Sequence, residues 1–370
     1  MGAITLVMPC YNRAHGLPAL LQAYEQQETE ALFEIIAVDD ASTDSTYQFL
    51  TSYQPKNFIL RVEHMEKNSG QGMARNRVIP QVQSPLMMFV GDDMFPAPGL
   101  VQGHLAAHRT MPEAGIAILG RVEWPADLPC NTLMAHIDGI GAQQFSYHYL
   151  QNGHEYDFRH FYTCNISLKT AFIQALDHWF DPDFSLYGFE DVELGYRLVQ
   201  RGMRILYQRP MLMRHYHYYN VWTFAERQRK SGIMANVLTR KHIRLTYKFR
   251  AQYLRVLNLL RQTRVLLRPF PSAKLDWIEQ VALYLASFYE WKPNVLLDRL
   301  YLGMLDYFYY DGFIRGYFGD SLLTHRMRAA HASRYLLPTL KWYLKQAEQL
   351  GIPVPDAIRF DWLSKLAKQH

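Results

Sequence analysis

Two short runs of carboxylates open the question of chemistry. Gly91-Asp92-Asp93 follows the apolar run Leu86-Met87-Met88-Phe89-Val90, and Gly188-Phe189-Glu190-Asp191-Val192-Glu193 opens a segment with helical spacing. Adjacent carboxylates after a buried strand are costly unless a cation or hydrogen bonds compensate them. Hard oxygen ligands suit Mg2+ or Mn2+, and a diphosphate commonly shares such an ion. A third pair, Asp39-Asp40, closes the run Phe33-Glu34-Ile35-Ile36-Ala37-Val38. It could receive the base or ribose of a nucleotide, although Ser42-Thr43-Asp44 behind it also reads as ordinary helix-cap chemistry. His215-Tyr216-His217 sets two imidazoles on one face of a strand, where one could complete the coordination of a metal held by Asp93. At Glu190-Asp191 two readings stand level. Acids at a helix start are stabilised by the macrodipole whatever they do. A carboxylate held ionised there can also accept a hydroxyl proton as a general base.

These groups need elements that hold them. Ile4-Thr5-Leu6-Val7-Met8 reads as a strand ended by Pro9, and Leu17, Leu20, Leu21 and Tyr24 recur at helical spacing. Phe33–Val38, Phe58–Val62 and Leu86–Val90 read as further strands, with helices reaching about Tyr53 and about Pro80 between them. Alternating strands and helices with apolar strands predict an α/β fold with a mostly parallel sheet. In such a sheet the ligand crevice lies outside the carboxyl ends of the strands, where both aspartate pairs fall. The pieces AILGRVEW, RILYQRP and MLMRHYHYY read as short strands around the acidic helix, which Gly202 ends. From about Phe224 the pattern turns helical. The expected domains are 1–225, which carries the chemistry, and 226–370, which is helical. Gly70-Gln71-Gly72-Met73-Ala74-Arg75 lacks the third glycine of a dinucleotide fingerprint, and no P-loop, GxSxG or HExxH occurs. A nucleotidyltransferase would need a glycine-rich, basic triphosphate loop near the N-terminus, which Tyr11-Asn12-Arg13 matches poorly.

The bulk composition bounds the rest. The chain has 370 residues, 49% of them hydrophobic and 14% aromatic, enough for about two cored domains. Three dispersed cysteines, Cys10, Cys130 and Cys164, argue against a disulfide framework and fit a reducing, cytoplasmic setting. The N-terminus reads as a strand rather than a signal peptide, and no run of 18 apolar residues offers a membrane span. From Arg227 to Arg268 there are 12 Lys or Arg residues and no Asp or Glu. Arg240, Arg244 and Lys248, then Arg261, Arg264 and Arg268, recur at helical spacing among Leu254, Leu257, Leu260 and Val265. They predict amphipathic helices with a basic side, suited to the inner face of an anionic membrane or to an acidic surface of another subunit. No nucleic-acid reading motif is present. The aromatic stretch Trp277–Tyr310 reads as core or as the surface of a homo-oligomer.

Taken together and in order, the segments over about residues 3–220 resemble the family-2 glycosyltransferases of the GT-A fold. MPCYNR is similar to the family's opening strand and loop, EIIAVDDASTDST to its nucleotide-binding strand, and NSGQGMARNRVI to its N-x-G-x-x-x-ARN helix. FVGDDMFPAPGLV resembles the DxD strand, and YTCNISLKTAFI with FDPDFSLYGFEDVELGYRL resembles the acceptor loop and ED helix. The resemblance implies an inverting transfer of a sugar from a nucleoside-diphosphate donor, most often UDP-linked, to a hydroxyl of a glycan or lipid-linked acceptor. It implies nucleotide contacts from Pro9, Tyr11, Arg13, Asp39, Asp40, Gly70, Arg75 and Asp92. Metal ligation of Mn2+ or Mg2+ would come from Asp93 with His215 or His217. Asp191 would be the base, and Glu190 would position the acceptor. Two positions depart from the pattern: Gly91 stands for the first Asp of DxD, and Phe189 stands for a small residue before Glu-Asp. Gly91 motivates the alternative of a catalytically silent protein that binds nucleotide sugar or glycan.

Overall fold

The computed structural model describes residues 2–145, 147–246, 258, 272–356 and 358. The chain divides into two compact units. One comprises Met1–Pro129, Ser146–Ser185 and Phe189–His217; the other comprises Cys130–Phe145, Leu186–Gly188 and Tyr218–His370. The sequence suggests one boundary near residue 225, whereas two short earlier segments also join the second unit.

The first unit is built on one sheet. Its strands are β1 (Ile4–Cys10), β2 (Glu34–Asp39), β3 (Ile59–His64), β4 (Leu86–Val90), β5 (Met94–Pro96), β6 (Ile116–Glu123), β7 (Glu155–Tyr156), β8 (Asn165–Lys169) and β9 (Arg204–His215). They run in the order β3-β2-β1-β4-β8-β6-β9-β5, with β7 on β9. Every residue of β1 and of β4 is buried, as uninterrupted apolar strands in a sheet interior require. The expected α/β class holds, and most paired residues of the sheet are in parallel ladders, although the sheet is mixed. Pairs β1–β2, β2–β3, β1–β4 and β6–β9 are parallel, while β4–β8, β6–β8, β5–β9 and β7–β9 are antiparallel. The change comes where β8 enters between β4 and β6 in the opposite sense.

Two sequence pieces, RILYQRP and MLMRH, form the single strand β9. Its register with β6 shifts between Gly120 and Arg121, beside Pro210, which has no N–H to give the ladder. Asn165 plugs the gap by donating to the carbonyls of Arg121 and Met211, both at 2.9 Å. A side chain at Gly120 would collide with that amide.

Helices α1 (Leu17–Glu25), α2 (Thr46–Ser52), α3 (Gln71–Val78) and α4 (Leu100–Thr110) connect the early strands. In α1 the buried residues are Leu17, Leu20, Leu21 and Tyr24, the stripe that the spacing predicts. In the second half, α5 (Thr132–Asp138) belongs to the helical unit, while α6 (Thr170–Gln174) and α7 (Glu190–Gln200) belong to the sheet unit.

The helical unit continues with α8 (Val221–Lys241), α9 (Ser272–Phe288), α10 (Leu297–Phe318), α11 (Leu322–His331) and α12 (Leu337–Gln349). Helices α8 and α10 approach closely through a glycine on each. A Cβ on Gly232 would sit 1.9 Å from the Tyr309 carbonyl oxygen, and one on Gly312 would sit 1.9 Å from that of Arg229. Fully buried Asp311 accepts from Arg229 at 2.7 Å, Arg315 at 2.9 Å, and Arg328. Tyr301 and Tyr307 are wholly buried and Phe308 nearly so, in keeping with the core reading of this aromatic stretch.

The described part of the basic run departs from its sequence reading in part: Lys230, Arg240, Lys241 and Arg244 are exposed, but the helix is interrupted and several arginines are engaged within the protein. Helix α8 stops at Lys241, and Arg244 lies in a separate short turn, Ile243–Thr246, so Arg240 and Arg244 do not extend one helical face. Arg227 is bound to Gln144 and Tyr187, Arg229 to Asp311, and Arg240 to the Tyr317 carbonyl at 2.7 Å. Lys248, Leu254, Leu257, Leu260, Arg261, Arg264, Val265 and Arg268 lie outside the described residues. Among the described residues, no helix is long and apolar enough to cross a membrane.

Candidate active site

The parallel strands β1, β2 and β4 end side by side, with Cys10 in register with Asp39. Three loops therefore leave the sheet at one edge. The loop after β1 turns at Asn12, whose φ of +52° is left-handed. Asparagine is enriched in that region, and here Asn12 Oδ1 ties the turn to the loop after β2 by accepting from the Thr43 N–H at 2.8 Å. The turn throws Arg13 back over the end of β4. Its Nε donates to Asp92 at 3.2 Å and its Nη2 to Asp93 at 2.9 Å, while the Tyr11 N–H donates to Asp92 at 3.2 Å. Pro9 is buried within β1, and the Tyr11 ring is exposed.

Asp93 also faces two imidazoles. His215 ends β9, and His217 follows two residues later. The Tyr216 N–H donates to the Asp93 carbonyl at 2.9 Å and clamps the segments together. Asp93 Oδ2 lies 3.4 Å from His215 Nε2 and 3.3 Å from His217 Nδ1. One donor atom from each of these three residues lies within 4.8 Å of the others. One carboxylate oxygen and two imidazole nitrogens form a donor set that suits Mn2+ and other divalent ions. Trp124 stacks on the His215 ring, centroids 5.1 Å apart and planes 15° from parallel, which fixes the ring's orientation.

The two aspartates are driven apart electrostatically. Burial and the charge of Asp93 push Asp92 up to about 7, against the pull of Arg13. Burial also works to raise Asp93, but His215, His217 and Arg13 outweigh it and hold Asp93 well below the usual carboxylate range. At Gly91 an added Cβ would lie 3.1 Å from the Asp93 carboxylate, so the missing first acid leaves room for the second.

The other acidic pair is held by different means. Phe189 caps α7 at φ +71°, a left-handed backbone that costs a non-glycine residue on the order of 1–3 kcal/mol. Glu190 then starts the helix, buried, and accepts a hydrogen bond from the Gln71 amide of α3. Asp191 accepts from its neighbour's N–H, that of Val192, at 2.8 Å and from the Thr163 N–H. Burial first and Glu190 second raise Asp191 to about 7, while Arg75 and the backbone donors pull it down. Arg75 is itself 1% exposed, between the rings of Phe89 at 5.7 Å and Phe180 at 5.5 Å. It donates to the Thr163 carbonyl at 3.2 Å, and its Nε and Nη1 have no hydrogen-bond partner. Glu190, Asp191 and Asp92 all act on its charge, so Arg75 couples the two acidic pairs. Glu193 takes no part: buried, it accepts from Arg197 at 2.8 Å.

The third pair shows a division of labour. Asp40 spends both oxygens on the glycine turn, accepting from the N–H groups of Ser69 and Gly70 at 2.8 Å each. Gly70 adopts φ +85°, which glycine allows at no steric cost. Asp39 is fully buried. One oxygen lies 2.8 Å from His64 Nδ1, and the other, Oδ1, has no partner.

The fold thus gathers Tyr11, Arg13, Asp92, Asp93, His215 and His217 into one cluster. It joins Glu190 and Asp191 to Arg75, and ties Asp40 to Gly70. Gln71, Trp124, Thr163 and His64 also serve these clusters but carry no local sequence signal. Each acts through a contact far away in the chain.

Comparison with known proteins follows the same outline. Residues 5–168 match the family described as glycosyl transferase family 2; α7 and the two histidines lie beyond that match. Over 235 residues the chain is 27% identical to validoxylamine A glucosyltransferase of Streptomyces hygroscopicus subsp. jinggangensis, covering 54% of this chain and 52% of that one. It is 26% identical over 218 residues to a processive diacylglycerol beta-glycosyltransferase of Mycoplasma pneumoniae, covering 55% of this chain and 60% of that one. The chain spans about half the length of several curated relatives it matches. A solved mannosyltransferase of Pyrobaculum calidifontis, in complex with GDP-Man and Mn2+, shares the fold. The TM-score is 0.54 at 16% identity, over 86% of this chain and 88% of that one.

Proposed function

Residues 5–168 match glycosyl transferase family 2, and we propose that the chain is a member of it that transfers a sugar, with inversion, from a UDP-linked donor to an acceptor hydroxyl. The acceptor is a glycan or a lipid-linked saccharide. The observation that carries this reading is the convergence of Asp93, His215 and His217 at the carboxyl edge of the sheet.

Asp39 supports uracil as the base. Its buried Oδ1 lacks a donor while Oδ2 is engaged by His64. One free acceptor suits the single imide N–H of uracil; guanine presents two adjacent N–H donors. Tyr11 and Pro9 stand beside that edge. Asp93, His215 and His217 would hold Mn2+ or Mg2+. When bound, such an ion supplies positive charge against the departing diphosphate. Arg13 adds a fixed cation on Asp92 and Asp93, which lowers the cost of two adjacent carboxylates.

Asp191 takes the proton of the acceptor hydroxyl on a carboxylate oxygen. A base works best with a pKa near the working pH, and Asp191 sits at about 7. Glu190, pinned by Gln71, holds the acceptor and keeps Asp191 basic through its charge. Peripheral binding to an anionic membrane through 227–268 and self-association belong to the same reading; the first rests on the charge run, of which Lys230, Lys241 and Arg244 are exposed, and the second on the exposed rings of Tyr284 and Trp291.

A thermal-shift screen of UDP- and GDP-sugars with and without Mn2+, followed by donor turnover, tests this function. UDP-sugars with Mn2+ should raise the melting temperature most and be turned over. Binding without turnover of any donor would favour the silent alternative that Gly91 raises. A preference for GDP-sugars would refute the reading of Asp39.

A further inference from the structure

The sheet unit holds a cavity of about 610 Å3 at the edge of the sheet opposite the candidate active site. Ala3 and Leu86 stand at the starts of β1 and β4, and Lys169 ends the antiparallel β8, so the cavity lies at the amino ends of the parallel strands. Small-molecule sites commonly enclose about 300–1,000 Å3. Ala3, Pro85, Leu86 and Leu105 give this one an apolar wall, and Glu30, Gln102, His108, Arg109 and Lys169 give it polar groups.

The existing bonds decide which polar groups can meet a ligand. Lys169 Nζ lies 3.0 Å from His108 Nδ1 and donates to the carbonyls of His108 at 3.2 Å and Met111 at 3.4 Å. An ammonium only donates, so Nδ1 accepts, and the His108 proton sits on Nε2, 2.9 Å from Ser167 Oγ. The Ser167 hydroxyl then donates to His104 Nδ1 at 2.7 Å, and His104 Nε2 donates to Asn165 Oδ1 at 3.1 Å. Every donor in this chain is answered within the protein. Burial first, then the charge of Lys169, lowers the His108 pKa to about 3, so its ring is neutral. Lys169 is held in place and offers a ligand its charge alone.

The other groups are open. Arg109 and Glu30 are exposed, and neither has a hydrogen-bond or ion-pair partner among the described residues. Gln102 Oε1 accepts from the Thr29 hydroxyl at 3.2 Å, while its Nε2 has no acceptor among the described residues. Arg109 and Lys169 outnumber Glu30 by one charge. A cationic ligand meets one carboxylate against two positive groups. A compact dianion such as phosphate overshoots the charge and lays nothing on the apolar wall. A neutral saccharide leaves the charge unanswered. One carboxylate on an apolar body answers both, because its two oxygens match the guanidinium fork and its chain covers the wall.

We propose that this cavity binds a small organic monocarboxylate, with its apolar body on Pro85, Leu86 and Leu105 and its carboxylate on Arg109 and the Gln102 amide, beside Lys169. The site goes beyond the donor reading and stands without it.

Calorimetry on the full chain tests the proposal, with butyrate, hexanoate and octanoate as probes and octan-1-ol, octylamine and inorganic phosphate as comparisons. Octanoate should bind, and affinity should rise along the series by up to about fourfold for each added methylene. Arg109→Gln should weaken octanoate about fivefold, the modest effect of losing an exposed ion pair. Glu30→Gln should tighten it by about two- to fivefold, a gain that damage to the fold does not produce. Ala31→Trp, which fills the cavity from the loop before β2, should abolish binding, with melting curves to confirm that the variant is folded. Failure of octanoate to bind overturns the proposal, as does binding that ignores all three substitutions. Octan-1-ol or octylamine bound as tightly as octanoate, or octanoate displaced by phosphate at equal concentration, overturns the ligand class. UDP titrated into the same samples separates the two ideas: failure to bind UDP faults the donor reading and leaves this site untouched.

Discussion

Asp92-Asp93 and Glu190-Asp191 look alike in sequence, each a pair of adjacent acids at the mouth of a buried element. The molecule answers them in opposite ways. The first pair is met by the Arg13 guanidinium and the imidazoles of His215 and His217, which hold Asp93 well below the usual carboxylate range. The second is met by an amide, backbone N–H groups and one buried guanidinium, which leave Asp191 raised to about 7. A carboxylate held low is suited to ligate a cation. A carboxylate held near neutrality is suited to take up and release a proton. The surroundings, and not the acids, set the division.

The sharpest break of this comparison is Asp191→Asn. It removes the base and should lower turnover roughly a hundred- to ten-thousand-fold, while UDP affinity, read by calorimetry, stays near wild type. Asp93→Ala should act on the other side. Mn2+ affinity should fall roughly a hundredfold, at the top of the range for residues that merely orient ligands. Trp124→Leu, which removes only the ring that steadies His215, should cost about tenfold in the same titration.

How much of this was legible follows the range of each interaction. The strand ends at Asp39 and Asp92 were legible because the preceding strands are uninterrupted apolar runs. The two histidines were legible from their spacing. The insertion of β8 in the opposite sense was not, since pairing partners lie far apart in sequence. Nor was the end of α8 at Lys241, where no glycine or proline marks the stop. Arg75 is expected from the resemblance only as a nucleotide contact. Its burial depends on Phe89 and Phe180, which only the fold brings to it. Helix α5 and the loop after it went unread for the same reason.

Smaller, and opposite in sign, are the effects on stability in metal-free buffer. Asp191 has a raised folded-state pKa, so its ionisation opposes folding increasingly from about pH 4 to about pH 7 and steadily above. Asp191→Asn should therefore stabilise the protein by about 1–2 kcal/mol at pH 8, with no gain at pH 4. Asp93 has a lowered pKa, so its contribution is present above about pH 4 and is lost as the pH falls further. Asp93→Asn should destabilise the protein by about 1–2 kcal/mol at pH 8. Two shifts of the same sign would erase the contrast between the pairs.

The most direct test is the pH dependence of kcat for sugar transfer at saturating Mn2+, from about pH 5 to about pH 9, in wild type and Asp191→Asn. The wild-type rate should fall about tenfold per pH unit below about 7 and level off above it, as the ionisation of Asp191 dictates. The residual rate of the variant should show no such break. A wild-type profile flat through that range, or a break that persists in the variant, would contradict the assignment of Asp191 as the base.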